Sequence, residues 1–143
     1  MKTSRVVLGT DHAGYKLKET IKKHLSDQGI DVVDVGTFSE ADVDYPPIMR
    51  KACAVTLEQN IPGIIFGGSG NGEAMAANRI KGIRAAVCYS EETARLARAH
   101  NDANVMSLGA RFTSPEIAKE LTDVFLATDF EGGRHQARID DLE

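Results

Sequence analysis

The chain has 143 residues, 42% of them hydrophobic and 27% charged, with a formal net charge of -4 at neutral pH. That length fits one domain spanning residues 1–143, a size at which roughly 70% of the unfolded surface is buried on folding. The composition is that of a soluble globular protein, not of a disordered or repetitive chain. A negative balance excludes a broad nucleic-acid surface, which needs excess Lys and Arg to displace counterions from many phosphates. No segment approaches the roughly 20 apolar residues that span a bilayer, so neither nucleic acid nor a membrane is expected as a partner. Any anion must be held locally.

The first residues lead straight into a short apolar run without the apolar core of a secretory signal, which fits a cytoplasmic protein. Short β-rich runs then alternate with longer stretches of helical period, the signature of a parallel sheet covered by helices on both faces. The expected strands are Arg5 to Thr10, Asp31 to Gly36, Gly63 to Gly68, Arg84 to Tyr89 and Val105 to Ala110. The fold class is therefore α/β, a three-layer α/β/α sandwich around a Rossmann-like five-stranded parallel sheet. Between the first two strands, Leu17, Ile21 and Leu25 recur every fourth residue while Lys16, Lys18, Lys22 and Lys23 fall mostly elsewhere, predicting an amphipathic helix that ends at Gly29. Thr37 to Tyr45 reads as a loop, and a second helix begins near Pro46 or Pro47 and runs to about Gln59. A third starts in the run Gly67 to Gly72. Ser90 caps a fourth and Ser114 a fifth, each with glutamate in its first turn. The polar stretch from Glu131 to Glu143 lies beyond the last strand and can form a further helix. Cys53 and Cys88 lack metal-ligand spacing and fall in a predicted helix and strand, so they read as buried structural thiols.

Ligands of open parallel sheets bind beyond the carboxyl ends of the strands, where adjacent connections leave in opposite directions. The unusual residues are expected to collect there: Asp11 and His12 after the first strand, Ser69, Gly70, Asn71, Gly72 and Glu73 after the third, and His100 and Asn101 just before the fifth. The first and third strands should be neighbours across the crevice. The glycine run lacks the Lys and Ser or Thr of a P-loop, and Glu73 stands where a dinucleotide fingerprint has its third glycine. A carboxylate in that first helical turn repels a phosphate dianion but is well placed to remove a carbon-bound proton beside a developing oxyanion. The loop therefore reads better as an oxyanion hole, and Glu73 as the base of an aldose–ketose isomerisation through a cis-enediol. The bland alternative is that Glu73 only complements the helix dipole and that Ser69, instead of donating to a substrate oxygen, caps the same turn. His12 and His100 are either ordinary histidines or the groups that move protons during opening of a cyclic sugar, with Asp11 orienting a neighbour or holding a hydroxyl. No HxxxH or CxxC spacing supports a metal site built from Asp11, His12, His100 and His135. If the tail is helical, Arg134 and Arg138 share a face at i and i+4, as a phosphate fork or as a solvated basic surface. Arg111, just after the fifth strand, is a further candidate.

The segments Asp11-His12-Ala13-Gly14, Gly68-Ser69-Gly70-Asn71-Gly72-Glu73, Ala76-Ala77-Asn78, His100-Asn101-Asp102-Ala103-Asn104 and Gly132-Gly133-Arg134-His135-Gln136 together resemble ribose-5-phosphate isomerase type B, a family that includes galactose-6-phosphate isomerase subunits. The resemblance covers nearly the whole chain. It implies a homodimer, or a tetramer made of two such dimers, with active sites between subunits, no cofactor, and interconversion of ribose 5-phosphate with ribulose 5-phosphate. It further implies that His100 opens the ring with Asp11 nearby, that Glu73 shuttles the C2 proton, and that Ser69 with the amides of Gly70 to Gly72 stabilises the enediolate. His12, Arg134 and Arg138 would hold the phosphate, with Asn101 and Arg111 helping to bind substrate. One branch of the family uses a cysteine base where this chain has Gly67, and this chain matches the branch with glutamate in the following helix. The same mechanism on a tetrose 4-phosphate, or on a hexose 6-phosphate such as galactose 6-phosphate or allose 6-phosphate, is the second reading. A non-catalytic nucleotide-binding module is the third.

Overall fold

A computed structural model describes residues 3–143. Five strands form one parallel sheet: β1 (Arg5–Thr10), β2 (Asp31–Asp34), β3 (Gly63–Gly67), β4 (Ala85–Val87) and β5 (Val105–Gly109), in the order β2-β1-β3-β5-β4. β1 and β3 are neighbours, with Leu8 beside Ile64 and Thr10 beside Phe66. The helices are α1 (Tyr15–Asp27), α2 (Tyr45–Gln59), α3 (Asn71–Asn78), α4 (Glu91–Ala99), α5 (Pro115–Ala127) and α6 (Arg134–Asp140). Among the described residues no helix is long and apolar enough to cross a membrane.

Alternation along the strands divides the core into two. Val6, Leu8, Ile64, Phe66, Met106 and Leu108 point to the face covered by α1, α4 and α5, whereas Val7, Ile65 and Val105 meet α2 and α3 on the other. The chain therefore leaves β1 towards one face and β3 towards the other, and a crevice opens between their carboxyl ends. Ser90 accepts from the Thr93 amide within a capping box, and Ser114 accepts from the Ile117 amide, so both expected caps are present. The second helix starts at Tyr45, one residue before its prolines, and the strands are shorter than the apolar runs suggest.

Lys18 departs from the helical-wheel expectation. It lies fully buried, with Nζ at 2.7 and 2.6 Å from the two carboxylate oxygens of Asp34, and Lys22 reaches the same carboxylate at 3.0 Å. Asp34 in turn accepts from the Gly36 amide, and Gly36 and Thr37 exchange backbone hydrogen bonds with Thr10. A buried ion pair thus fixes the start of the loop that runs beside Asp11 and His12. Burial alone would raise the Asp34 carboxyl, but hydrogen bonds from Lys18, the Gly36 amide and Lys22 outweigh it and hold it below the usual carboxylate range. Its stabilising contribution is therefore complete above the unfolded-state pKa and lost as pH falls through the lower folded value. Lys18→Met should cost about 3 kcal/mol, the lower end for breaking a buried pair because Lys22 remains. Urea denaturation would measure this, and the deficit relative to the parent should shrink in acid.

Candidate functional site

The carboxyl ends of β1, β3 and β5 bring together Asp11, His12, the loop from Gly68 to Gly72, Glu73 and Arg111. Asp11 caps the short turn that follows β1, its Oδ1 accepting from the amides of Ala13 (2.9 Å) and Gly14 (3.2 Å). The Nδ1 of His12 accepts from the Val43 amide at 3.2 Å, which places the proton of the neutral ring on Nε2. That nitrogen is a donor held 3.7 Å from the exposed Asp42 carboxylate, suited to an anionic ligand.

Gly70 adopts a positive φ of 83° at the start of α3, a conformation glycine takes without steric cost. The buried Ser107 hydroxyl donates to its carbonyl at 2.7 Å. First-turn amides have no partner within their own helix. The Asn71 amide, expected to face a substrate oxygen, is instead taken by Ser69 Oγ at 3.2 Å. A hydrogen bond from its own backbone amide holds the Glu73 carboxylate, and among the described residues the amides of Gly70 and Gly72, like those of Gly68 and Ser69, have no hydrogen-bond partner and can meet a ligand. Ser69 serves both readings: its oxygen caps the turn while its hydroxyl proton stays free to donate.

Glu73 is 4% exposed, and no cation lies within ion-pair distance of it among the described residues. Burial pushes its carboxyl above the usual range and the charge of Asp11 adds to this, against the opposing pull of its own amide. Space for the side chain comes from Gly67: a Cβ there would lie only 1.4 Å from Glu73 Oε1. A side chain at position 67 and this seat for the carboxylate are therefore mutually exclusive. Both cysteines are free and buried, and burial pushes the Cys53 thiol up to about 11 and that of Cys88 up to about 12. Neither is a base at neutral pH.

Sequence reasoning overlooked two neighbours. The Tyr45 hydroxyl abuts Gly72, 2.6 Å from where a Cβ would stand, and the Tyr89 hydroxyl donates to the Ser69 carbonyl at 2.7 Å. Both were hidden because each closes on the loop from a distant part of the chain. The Arg111 guanidinium lies over Gly68, and among the described residues its exposed side chain has no acidic partner within ion-pair distance to divert it from an anion.

The placement of His100 needs correcting. A segment just before β5 lies at the amino end of the sheet, not the carboxyl end: the Asn104 carbonyl accepts from Gly63, the first residue of β3, and the Asn101 carbonyl accepts from Arg84, just before β4. The expected helix α6 packs at this same end, where the Glu131 amide donates to the Ala99 carbonyl at 2.9 Å. Its His135 and Ile139 are buried, while Arg134 and Arg138 share its exposed face. His100, Asn101, Arg134 and Arg138 thus lie a strand's length, roughly 13 Å or more, from the Glu73 loop of the same chain. Asp11 and His100 are not near each other within one chain.

Residues 6–142 match the model of the Ribose/Galactose Isomerase family. The chain is 45% identical to ribose-5-phosphate isomerase B of Mycobacterium leprae, over 99% of this chain and 90% of that one. It superposes on a ribose 5-phosphate isomerase of Thermotoga maritima with a TM-score of 0.96 and 44% identity, covering 97% of each chain. The ribose-5-phosphate isomerase B of Mycoplasma genitalium, solved with bound ribulose-5-phosphate, gives a TM-score of 0.93 and 39% identity over 99% of this chain and 95% of that one.

The Gly67 contact yields a direct test. Gly67→Ala should fold, because the atom it meets first is the end of a side chain, but it must expel the Glu73 carboxylate from its seat. Isomerase activity should fall by about a hundredfold, as displacement of a reacting group by about 1 Å does, with the melting temperature little changed. Steady-state kinetics and thermal unfolding check this.

Proposed function

The chain belongs to the ribose/galactose isomerase family, and we propose that it interconverts D-ribose 5-phosphate and D-ribulose 5-phosphate through a cis-enediolate, with Glu73 as the proton-shuttling base. The observation that carries this reading is a carboxylate that is buried, with no cation in reach among the described residues, at the edge of a loop whose amides include ones with no partner there. Such a group costs folding energy and binds no phosphate, but its raised pKa suits proton abstraction near neutrality.

Ring opening comes first. The imidazole of His100 delivers a proton to the ring oxygen as the anomeric hydroxyl loses its own, which produces the aldehyde. The Glu73 carboxylate then takes the C2 proton, and the electron pair moves through the new C1–C2 double bond onto the aldehyde oxygen. The amides of Gly70 and Gly72, with the Ser69 hydroxyl, meet that oxyanion. Return of the proton from Glu73 to C1, with the O2 proton passing to the O1 oxyanion, leaves the ketose with a carbonyl at C2 and a hydroxyl on C1. His12 and Arg111 supply donors at the phosphate end, joined by Arg134 and Arg138.

Because the sheet separates these groups within one chain, the reading requires a homodimer. One copy presents Asp11, His12, Ser69, Glu73 and Arg111, while the tail and loop of the other, residues 129–143 and 100–101, bring in Arg134, Arg138, His100 and Asn101. A tetramer is then a pairing of such dimers. Two free buried thiols are compatible with a reducing cytoplasm. The pentose reading is preferred over a tetrose or hexose phosphate because the Mycoplasma genitalium relative was solved with ribulose-5-phosphate.

An activity screen over phosphorylated tetroses, pentoses and hexoses should give the highest kcat/KM with ribose 5-phosphate. Preference for a hexose 6-phosphate would overturn the substrate assignment. Glu73→Gln should lower turnover at least about a hundredfold. In the parent, the acid limb of kcat/KM should lie above the ordinary carboxylate range, because the base works only when ionised and its pKa is raised. The same shift means that Glu73 ionisation opposes folding as pH rises through it. The Gln variant should therefore melt no lower than the parent at neutral pH.

A further inference from the structure

Outside the Glu73 loop, the densest group of titratable side chains lies where α4 ends and α6 begins. The rings of His100 and His135 stack with centroids 4.3 Å apart and planes 16° from parallel. Glu131 Oε1 stands 3.7 Å from Nε2 of each. His135 is 7% exposed and its Nε2 has no hydrogen-bond partner, whereas the His100 side chain is 36% exposed. Ligand atoms of the three residues all lie within 4.8 Å of one another. Rings so nearly parallel nevertheless keep their in-plane nitrogen lone pairs in two separate, nearly parallel planes, a poor geometry for converging on one ion, and Arg134 and Arg138 add positive charge nearby. The arrangement is better suited to orienting an imidazole than to holding a cation.

We propose that His135 is a positioning residue for the reaction, acting with Glu131 to hold the His100 ring in the orientation that delivers a proton to the sugar ring oxygen. This inference rests on the ring-opening role given to His100 above. A half-exposed histidine at a helix end turns about two side-chain bonds, and a proton donor works only when its N–H points along the hydrogen bond to the acceptor. The buried face of His135 removes that freedom by offsetting one aromatic ring against the other. The hydrogen bond from the Glu131 amide to the Ala99 carbonyl anchors the backbone that carries this carboxylate beside both rings. Burial first, then the positive charge of His100, Arg134 and Arg138, holds His135 below the usual histidine range against the opposing effect of Glu131. That direction disfavours a second positive charge on the supporting ring beside His100.

The test is a double-mutant cycle read on ribose 5-phosphate. His135→Ala should lower kcat about tenfold or more with KM little changed, since Arg134 and Arg138 keep their face. His135→Phe, which restores a stacking surface, should recover most of that loss. In a His100→Asn background, His135→Ala should cost nothing further, because its effect passes through the missing imidazole. Thermal unfolding of each variant separates a general loss of structure from this specific one. Two results would overturn the proposal: an equal loss from His135→Ala with and without His100, or a loss confined to KM. If His100→Asn alone retains full turnover, the ring-opening role itself fails, and this inference fails with it by a different route.

Discussion

Everything at the carboxyl end of the sheet follows from seating one uncompensated carboxylate. Glu73 is buried with no cation in reach among the described residues, an arrangement that burial disfavours by pushing its proton affinity up. Position 67 must lack a side chain for the seat to exist, because a Cβ there would overlap the carboxylate. β5 must also end in a residue without one, since a Cβ on Gly109 would lie 2.5 Å from the Ser69 carbonyl. Ser107, Tyr45 and Tyr89 then hold the loop from three sides. Raised proton affinity is a cost to the fold and the property that a base for a carbon-bound proton needs.

The parallel sheet imposes the second constraint. Its strands all run one way, so residues after a strand and residues before a strand fall at opposite ends. Glu73 follows β3 and His100 precedes β5, and no local adjustment brings them together within one chain. The same polarity places α6 beside the end of α4, which stacks His135 on His100 and leaves Arg134 and Arg138 facing outward. On the proposed reading, each chain assembles two halves of a sugar-phosphate site, and a second copy joins them.

Much of this was legible in the residues. The strands, the helix caps at Ser90 and Ser114, and the pairing of β1 with β3 rest on local patterns that the fold keeps. Lys18 was not legible, because its partner Asp34 is brought to it by tertiary folding and only that pairing makes burial of an ammonium tolerable. Tyr45 and Tyr89 were missed for the same reason. The motif at His100 was visible but its end of the sheet was misread, although strand polarity alone was enough to place it. The Asn71 amide is taken by Ser69, a local competition that glycine spacing does not reveal.

The account depends most on a site shared between two copies. Its most direct test mixes two inactive proteins, one carrying Glu73→Gln and the other both His100→Asn and Arg138→Ala, with subunit exchange followed independently by mass-tagged chains. Equal mixing should restore about a quarter of the parent activity per subunit, because half of the dimers are mixed and each mixed dimer holds one intact site of two. Complete exchange without any recovery would contradict the account, since it would mean that Glu73, His100 and Arg138 act within a single chain.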